Sequence, residues 1–393
     1  MQNQRLKLAR EIEPYIKEVF YHLHKNPELG AKEYNTQKFI LNELEKMGIE
    51  AHTIADTGVM GIIRGAKPGK TLAFRADMDA LPVQEKTDLP YKSLNPGVMH
   101  ACGHDSHMSV VLGVAKILQA QKDELKGNVK LFFQPAEETI GGAKRMIEAG
   151  CLENPKVDAV FFAHNSPLAP TGSIRIMNGT VSASSNFFDI VFKGRGAHGA
   201  SPHLGTDVIV AASQAVVALQ TICSRRTDPN DSIVITIGSF HAGSAGNILP
   251  TTAKLSGIIR TYNLEVRERA IKDFYQILNG VASAMDVEVE IDLQAGYIAT
   301  VNNPEMFKLV KSAATKVLGE DKVSEYYKPS LEVEDFSYFC QEVKGCYYNF
   351  GVRNEEKGWV KPLHNDKFVV DIDGIIYDIA VKLQIVKDFL EQE

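Results

Sequence analysis

The nine residues from Met99 to His107 contain three histidines, one cysteine and one aspartate. Imidazole and thiolate groups are ligands that zinc-like ions prefer, whereas carboxylates suit harder cations. A single histidine or cysteine is more often a buried core residue than a ligand. Because so many donors are concentrated just before a predicted helix, the segment indicates a metal site.

Further candidate ligands lie beyond the ends of predicted strands. Asp77 follows the apolar run TLAFRA, Glu137 and Glu138 follow VKLFFQ, and His164 follows VDAVFFA. The carboxyl ends of parallel strands meet at one edge of a sheet, where open α/β sheets bind their ligands. We therefore expect these side chains to lie in one crevice, although they are distant in sequence.

The adjacent acids Glu137 and Glu138 predict two different roles. Beyond a strand end the chain is irregular, so neighbouring side chains can point in different directions. One carboxylate can then bind metal while the other takes a proton from a water molecule. An acidic turn before a helix N-terminus is the alternative interpretation, and the donors in Met99–His107 favour the catalytic one.

Helices and strands alternate in both terminal parts of the chain, which predicts an α/β domain with a mainly parallel sheet covered by helices. The predicted helices cover Leu6–His24, Thr36–Met47, His107–Gln119, Gly142–Ala149, Pro304–Val317 and Gly374–Leu390. The predicted strands cover Thr71–Arg75, Val129–Phe133, Val157–Ala163 and Cys346–Phe350.

The middle of the chain has a different order of elements. Its strands and helices follow the order βαββαβ, which is the ferredoxin-like arrangement. We therefore predict a metal-binding catalytic domain at 1–184 and 297–393, and an inserted ferredoxin-like lid and dimerisation domain at 185–296.

Composition argues against several classes of partner and location. The 393 residues include 43 basic and 49 acidic side chains, a formal charge of -6, which predicts neither nucleic-acid nor membrane binding. The most apolar stretch, Val208–Leu219, is too short to span a bilayer, and the charged opening lacks the apolar core of a signal peptide. Five widely spaced cysteines argue against a disulfide framework. We expect a cytoplasmic protein.

The segment Gly194–Gly199 matches the dinucleotide-binding pattern G-x-G-x-x-G and follows a predicted strand. Pro202 and Gly205 interrupt the position of the phosphate-binding helix, so we do not expect a nicotinamide cofactor. The patterns GxSxG, Walker A and HExxH do not occur, which argues against serine hydrolases, nucleotidases and helical zinc proteases.

Longer motifs extend along nearly the whole chain: Arg75–Pro82, Met99–Asp105, Phe133–Glu138, Gly194–His198 with Pro202–Gly205, Glu334–Phe336 and Leu363–His364. In order, they resemble the motifs of a metal-dependent amidohydrolase family, of the aminoacylase and carboxypeptidase type. That family includes hippurate hydrolase, N-acyl-amino-acid deacylases and plant auxin-conjugate hydrolases.

The resemblance implies a catalytic α/β domain with a ferredoxin-like lid and two divalent metal ions. By position, the family's metal ligands match Cys102, His104, Glu138, His164 and His364, with Cys102 as the bridge between the ions. A mixed Cys/His/Glu set accepts zinc, manganese, cobalt or nickel, so the identity of the metal stays open.

The resemblance also implies roles for single residues. Glu137 matches the general base, and His198 matches the residue that stabilises the oxyanion, in some relatives from a neighbouring subunit. Asn247 and Arg260 resemble contacts to the substrate carboxylate, with a turn residue and a surface ion pair as the alternative interpretations. The segment that begins at Asn165 is expected to shape the acyl pocket. Relatives form dimers or tetramers, so we expect a homodimer or homotetramer.

The predicted reaction is hydrolysis of the amide bond of an N-acetyl- or N-benzoyl-amino acid to a carboxylate and a free amino acid. Two metals would lower the pKa of a water molecule towards about 7, and Glu137 would carry its proton to the leaving amine. A dipeptidase or carboxypeptidase with the same metals is the first alternative. A non-catalytic metal-binding protein and an oxidoreductase that uses the glycine motif are the others.

Overall fold

The computed structural model describes residues 4–391. Residues 1–3 and 392–393, which the predicted domain ranges include, lie outside this part of the chain. The described chain divides into two compact units. The first comprises the residues up to Gly179, Val301–Lys328 and the residues from Asp335 onward, and the second comprises Thr180–Thr300 and Pro329–Glu334.

The helices of the described chain are α1 (Gln4–Glu11), α2 (Glu13–Lys25), α3 (Tyr34–Lys46), α4 (His104–Ala120), α5 (Ala143–Glu148), α6 (Val208–Thr221), α7 (Leu264–Ala284), α8 (Pro304–Leu318), α9 (Ser337–Glu342) and α10 (Ile375–Leu390). Short 3₁₀ segments cover Pro202–Leu204, Glu320–Lys322 and Ile372–Gly374, and a π-helical turn covers Ile222–Arg226.

The strands are β1 (Glu50–Ile54), β2 (Gly58–Arg64), β3 (Lys67–Asp77), β4 (Lys126–Gln134), β5 (Ala159–Pro170), β6 (Ile174–Ile176), β7 (Gly179–Ser182), β8 (Ser184–Lys193), β9 (Ala197–His198), β10 (Ile233–Ala242), β11 (Ile248–Leu249), β12 (Thr252–Thr261), β13 (Glu288–Ala295), β14 (Thr300–Asn302), β15 (Val323–Glu325) and β16 (Lys344–Arg353).

The first unit is built on an eight-stranded sheet in the order β1-β2-β4-β3-β5-β16-β6-β15. Its central pairs β4/β3, β3/β5 and β5/β16 are parallel, whereas β1/β2 and β2/β4 are antiparallel. Successive side chains point to opposite faces of the sheet. Phe161 accordingly packs in the larger core with α4 and α10, and Phe162 packs in a smaller core with α5 and α9. The predicted α/β class with a mainly parallel, covered sheet is confirmed.

The second unit contains a four-stranded antiparallel sheet in the order β10-β12-β8-β13. Phe188, Ile190 and Phe192 alternate along β8 and form a core with α6 and α7. Asp207 and Asn263 cap these two helices by accepting main-chain N–H groups. Together with α6 and α7, the four strands of this sheet follow the predicted chain order βαββαβ. The short strands β9 and β11 form a separate two-stranded sheet. A lid role for this unit stays a prediction.

The second unit extends beyond the predicted range 185–296. Main-chain hydrogen bonds account for the extension: Ala183 donates to the carbonyl of Ser330 over 3.0 Å, and Ser330 donates to Val181 over 2.8 Å. These bonds join 329–334 to the second unit, a long-range pairing that periodicity along the chain does not reveal.

The helical segment Val208–Arg226 has a mean hydropathy of 1.4 and is long and apolar enough to cross a membrane by length and composition alone. It is longer than the predicted stretch Val208–Leu219 because a π-helical turn continues it. Ala211, Ala215 and Leu219 on this helix lie in the core of the second unit. The most apolar 18-residue window of the segment is 33% buried, so one face of the helix contributes to this core.

Two predictions about elements around the site are wrong. His164 does not follow its strand but lies inside β5, because β5 continues to pair with β16 as far as Pro170. The helix predicted to begin at His107 begins at His104, so α4 starts directly after Gly103. The antiparallel hairpin of β1 and β2 was not predicted.

Candidate active site

The predicted ligands of the first unit are carried by separate elements. His104 is the first residue of α4, Glu138 lies in the turn after β4, and His164 lies in β5. Cys102 precedes α4, and His364 lies in the loop between β16 and α10. Since β3, β4 and β5 are parallel neighbours, their carboxyl-terminal parts meet at one edge of the sheet.

These donors lie close together. The Cys102 Sγ is 3.4 Å from His164 Nε2, and Glu138 Oε1 is 3.0 Å from His364 Nε2 and 3.9 Å from His104 Nε2. Within each of two groups, Cys102–His104–His164 and Cys102–Glu138–His364, all ligand atoms lie within 4.8 Å of one another. Cys102 belongs to both groups, and its role as a bridge between two ions stays a prediction.

Main-chain carbonyls orient two of the imidazole rings. His104 Nδ1 donates to the carbonyl of Asp79, and His164 Nδ1 donates to the carbonyl of Asn165, both over 2.8 Å. In the neutral form of each ring the proton therefore lies on Nδ1, and the lone pair on Nε2 faces the other donors. A histidine that binds metal is held in this way in most metalloproteins.

The buried Nε2 of His104 makes no hydrogen bond within the described residues. Asp77 Oδ2 lies 3.5 Å from this atom and Glu138 Oε1 lies 3.9 Å from it. Buried polar atoms are nearly always hydrogen-bonded, so an imidazole nitrogen without a hydrogen bond beside a thiol and two carboxylates indicates a missing partner. A divalent cation satisfies it, and the donor set suits zinc-like ions. The residues present therefore fit a metal centre.

Without a metal ion, the surroundings of the site favour the protonated forms of Cys102 and His104, which do not bind metal. Burial and the nearby carboxylates of Glu138 and Glu137 raise the pKa of the Cys102 thiol well above its usual value. Burial lowers the pKa of His104, but Asp77 and Asp79 outweigh it and raise this pKa to about 10. A bound cation must displace both protons, so binding of metal releases protons.

The predicted base, Glu137, is buried and lies beside the ligands. Its carboxylate, that of Glu138 and the ring of His104 offer donor atoms within 4.8 Å of one another. Asp79 fixes the backbone here, because its Oδ1 accepts the N–H of Glu137 over 3.1 Å and its Oδ2 accepts that of Glu138 over 3.0 Å. A carboxylate placed in this way can accept a proton beside a metal site.

Asp77 lies next to the ligands, but both of its oxygens already have partners. Its Oδ1 accepts from His107 Nδ1 over 2.6 Å, and its Oδ2 accepts from Arg75 over 2.7 Å. Burial lowers the pKa of His107 to about 3, so this ring is neutral, and its Nε2 accepts the N–H of Asn165 over 3.0 Å. Asp77 and His107 thus support the ligand-bearing segments.

The other predicted site residues belong to the second unit. His198 lies in β9 opposite Ile248 of β11, and the carbonyl of Asn247 accepts the N–H of Gly199 over 2.8 Å, so these two predicted residues are neighbours. Arg260 lies in β12, on a different sheet of the same unit. Its Nη1 is buried and makes no hydrogen bond within the described residues.

The residues that support the candidate ligands were not predicted from the sequence. Asp79 was quoted within a motif without a role, and Asn165 was assigned to the acyl pocket. In the structure the Asn165 side chain donates to the carbonyl of Gly103 over 2.9 Å, so it holds the turn between Cys102 and His104. Its position directly after a predicted ligand was the only signal in the sequence.

Comparison with known proteins gives relatives of similar length. The chain is 42% identical over 370 residues to thermostable carboxypeptidase 1 of Saccharolobus solfataricus, a match that covers 93% of each chain. It is 40% identical to hippurate hydrolase of Campylobacter jejuni, with 91% of this chain and 92% of the relative covered. It is 38% identical to N-acetyl-L-cysteine deacetylase of Bacillus subtilis, with 90% and 83% covered.

A solved structure has the same fold. The Bacillus subtilis YXEP protein, a dinuclear metal binding peptidase from the M20 family, matches with a TM-score of 0.84 and 30% identity over 98% of this chain and 100% of that one. Residues 73–391 match the sequence pattern of the family described as Peptidase family M20/M25/M40. The predicted resemblance and the class of metal-dependent amidohydrolase are confirmed. This chain belongs to Peptidase family M20/M25/M40.

Proposed function

We propose that this protein hydrolyses the amide bond of N-acyl amino acids, releasing a carboxylate and a free amino acid. The observation that carries the proposal is the buried His104 Nε2, which makes no hydrogen bond within the described residues and lies beside a thiol and carboxylates, with Glu137 among them. The similarity to hippurate hydrolase and N-acetyl-L-cysteine deacetylase supports this substrate class.

Two divalent ions, zinc, manganese, cobalt or nickel, would be held by Cys102, His104, Glu138, His164 and His364, with Cys102 shared. When bound, they supply Lewis-acid activation of water and of the scissile carbonyl. The relative with a dinuclear centre supports the number of ions.

The side chains of this protein would perform the remaining steps. Glu137 accepts a proton from the attacking water and returns it to the leaving amine. His198 donates a hydrogen bond to the oxyanion. Arg260 binds the free α-carboxylate and Asn247 assists. The buried Nη1 atom of Arg260, which makes no hydrogen bond within the described residues, supports this role, because a charged acceptor forms strong hydrogen bonds with a guanidinium.

A carboxypeptidase is the second candidate function. The 42% identity to thermostable carboxypeptidase 1 favours it. Both reactions cleave an amide next to a free carboxylate, so they use the same base and ligands and differ in the group on the acyl side.

A substrate panel tests the proposal and separates the two candidates. Protein freed of metal with a chelator is assayed on N-acetyl-, N-benzoyl- and aminoacyl-amino acids, with and without added manganese or zinc. Metal-dependent release of amino acid from the N-acyl substrates is expected. Faster turnover of the aminoacyl substrates would favour the peptidase, and no turnover with metal bound would contradict both.

We also propose a cytoplasmic homodimer or homotetramer. All five cysteines are free thiols, which supports a reducing location. In the second unit β10 is an edge strand with Val234 and Phe240 exposed, which supports pairing between subunits. Light scattering of the purified protein tests the oligomeric state.

A further inference from the structure

The segment from Glu28 to Glu33, between α2 and α3, has no role in the proposed function but packs directly against the site. The carbonyl of Glu28 accepts the N–H of Ala80 over 2.8 Å. A Cβ atom on Gly30 would lie 2.5 Å from Thr139 Oγ1 and 3.1 Å from Asp79 Oδ2. A Cβ atom would crowd both side chains, so the segment packs closely against the turn that carries the two acids.

Glu33 contacts that turn through a buried carboxylate. Its side chain is fully buried. Oε1 accepts the N–H of Ala136 over 2.8 Å, and Oε2 accepts the hydroxyl of Thr57 over 2.5 Å. The first bond joins residues that are 103 positions apart and reaches the residue directly before Glu137.

Ala136 has an unusual backbone conformation. Its φ is +57°, in the left-handed region that residues with a Cβ atom rarely adopt. Three successive N–H groups are held at this point, Ala136 by Glu33 and the next two by Asp79. Such a conformation persists when the surrounding structure over-determines it.

We propose that Glu33 is a positioning residue, which holds Ala136 in the left-handed conformation and thereby aims the Glu137 carboxylate at the reacting water. The inference rests on the proposed function, in which Glu137 is the base. Without the Glu33 acceptor the turn relaxes towards a less strained conformation, and Glu137 moves. A displacement of about 1 Å at a reacting group can cost about a hundredfold in rate.

The test compares Glu33→Ala and Glu33→Gln with the unchanged protein, each loaded with the metal that activates it. We expect kcat of Glu33→Ala to fall at least tenfold, with KM changed less than threefold and metal content per subunit unchanged. Glutamine keeps an acceptor for the Ala136 N–H, so Glu33→Gln is expected to recover kcat to within about threefold of the unchanged protein.

Glu28→Ala is the matched control. The Glu28 carboxylate accepts the N–H groups of Asn35 and Thr36 at the start of α3, so its loss also destabilises this segment, but the carboxylate makes no hydrogen bond to 136–138 within the described residues. We expect lower thermal stability and an unchanged kcat. Equal loss of kcat in Glu28→Ala and Glu33→Ala would overturn the proposal, as would a kcat of Glu33→Ala within twofold of the unchanged protein.

If Glu33→Ala does not fold, Thr57→Val replaces it. This nearly isosteric change removes only the hydroxyl that fixes Oε2 of Glu33. A three- to tenfold lower kcat at unchanged KM is expected, and an unchanged kcat would refute the positioning role. Failure of the proposed function is recognised separately, because the unchanged protein would then release no amino acid from any N-acyl substrate.

Discussion

The Nδ1 atom of His104 donates a hydrogen bond to the main-chain carbonyl of Asp79 over 2.8 Å. The carboxylate of the same aspartate accepts the N–H groups of Glu137 and Glu138. One residue therefore orients the candidate ligand His104 through its backbone, and through its side chain it holds the candidate base Glu137 and the candidate ligand Glu138. Residues behind the ligands often matter nearly as much as the ligands themselves.

We expect Asp79→Ala to lower metal affinity about 10- to 100-fold, the usual cost of losing such support. The turn that carries Glu138 would lose both of its acceptors, while the carbonyl that holds His104 stays. Competition with a chelator measures the change. Asp158→Ala is the control, because Asp158 also accepts a main-chain N–H, that of Thr71, but holds no ligand. Equal affinities in all three proteins would refute this role of Asp79.

Glu137→Gln is expected to keep its metal content and to lose about 10²- to 10⁴-fold in kcat, the range for removal of a general base. The amide retains the shape of the side chain but cannot accept a proton. Steady-state kinetics and metal analysis on the same preparation measure both quantities. Glu148→Gln serves as the control, since Glu148 is exposed on α5 and only lies near Lys144. Near-normal turnover of Glu137→Gln would show that another group is the base.

Gly103→Ala is expected to disrupt the site. Gly103 has a φ of +81°, and a Cβ atom there would lie 2.3 Å from the Asn165 side-chain amide. The change would displace Cys102 and His104, so we expect weaker metal binding. The free energy of unfolding should fall by more than about 2 kcal/mol, because the left-handed backbone of an alanine alone costs up to about that amount and the clash adds to it.

The control for Gly103→Ala separates backbone strain from the steric clash. Gly97 has a φ of +77°, and among the described residues no atom lies within 4 Å of the position that a Cβ atom would take there. Gly97→Ala should therefore cost about 1 to 2 kcal/mol and leave metal affinity unchanged. Denaturant titration and chelator competition measure the two effects; a similar loss of affinity in both variants would contradict the clash.

The surroundings of His24 predict that the free energy of unfolding falls at alkaline pH. Its Nδ1 lies 2.6 Å from Asp105 Oδ2, and its Nε2 lies 3.4 Å from Glu85 Oε1. Burial lowers the pKa of His24, but these two acids outweigh it and raise the pKa from 6.5 to about 9. The protonated ring is thus favoured in the folded protein. Its contribution is complete below pH 6.5 and is lost as the pH rises through 9.

This shift corresponds to about 3 kcal/mol at most. Urea titrations between about pH 6 and pH 9.5, in one metal-supplemented buffer, measure the unfolding free energy of the unchanged protein and of His24→Gln. The difference between the two should shrink as the pH rises, because only the unchanged protein loses the ion pairs. A difference that is independent of pH would show that His24 is not charged in the folded protein.

The sequence was sufficient to predict the α/β class and a set of candidate ligands whose donor atoms lie close together in the first unit. The many donor side chains in Met99–His107 indicated metal-binding chemistry directly. Acids that follow apolar runs indicated where strands end. Element boundaries were less accurate. The strand containing His164 continues because of its pairing with β16, and no property of its own residues reveals that partner.

Tertiary structure alone decided how the site is held. Which nitrogen of each imidazole carries the proton depends on the carbonyl that lies beside the ring. The orientation of Glu137 depends on Asp79 and Glu33, which lie 58 and 103 positions from the residues that they hold. Side-chain periodicity and motif spacing describe only neighbours along the chain. Contacts between distant segments arise when the sheet and helices pack, so the residues that donate chemistry were predictable and those that position them were not.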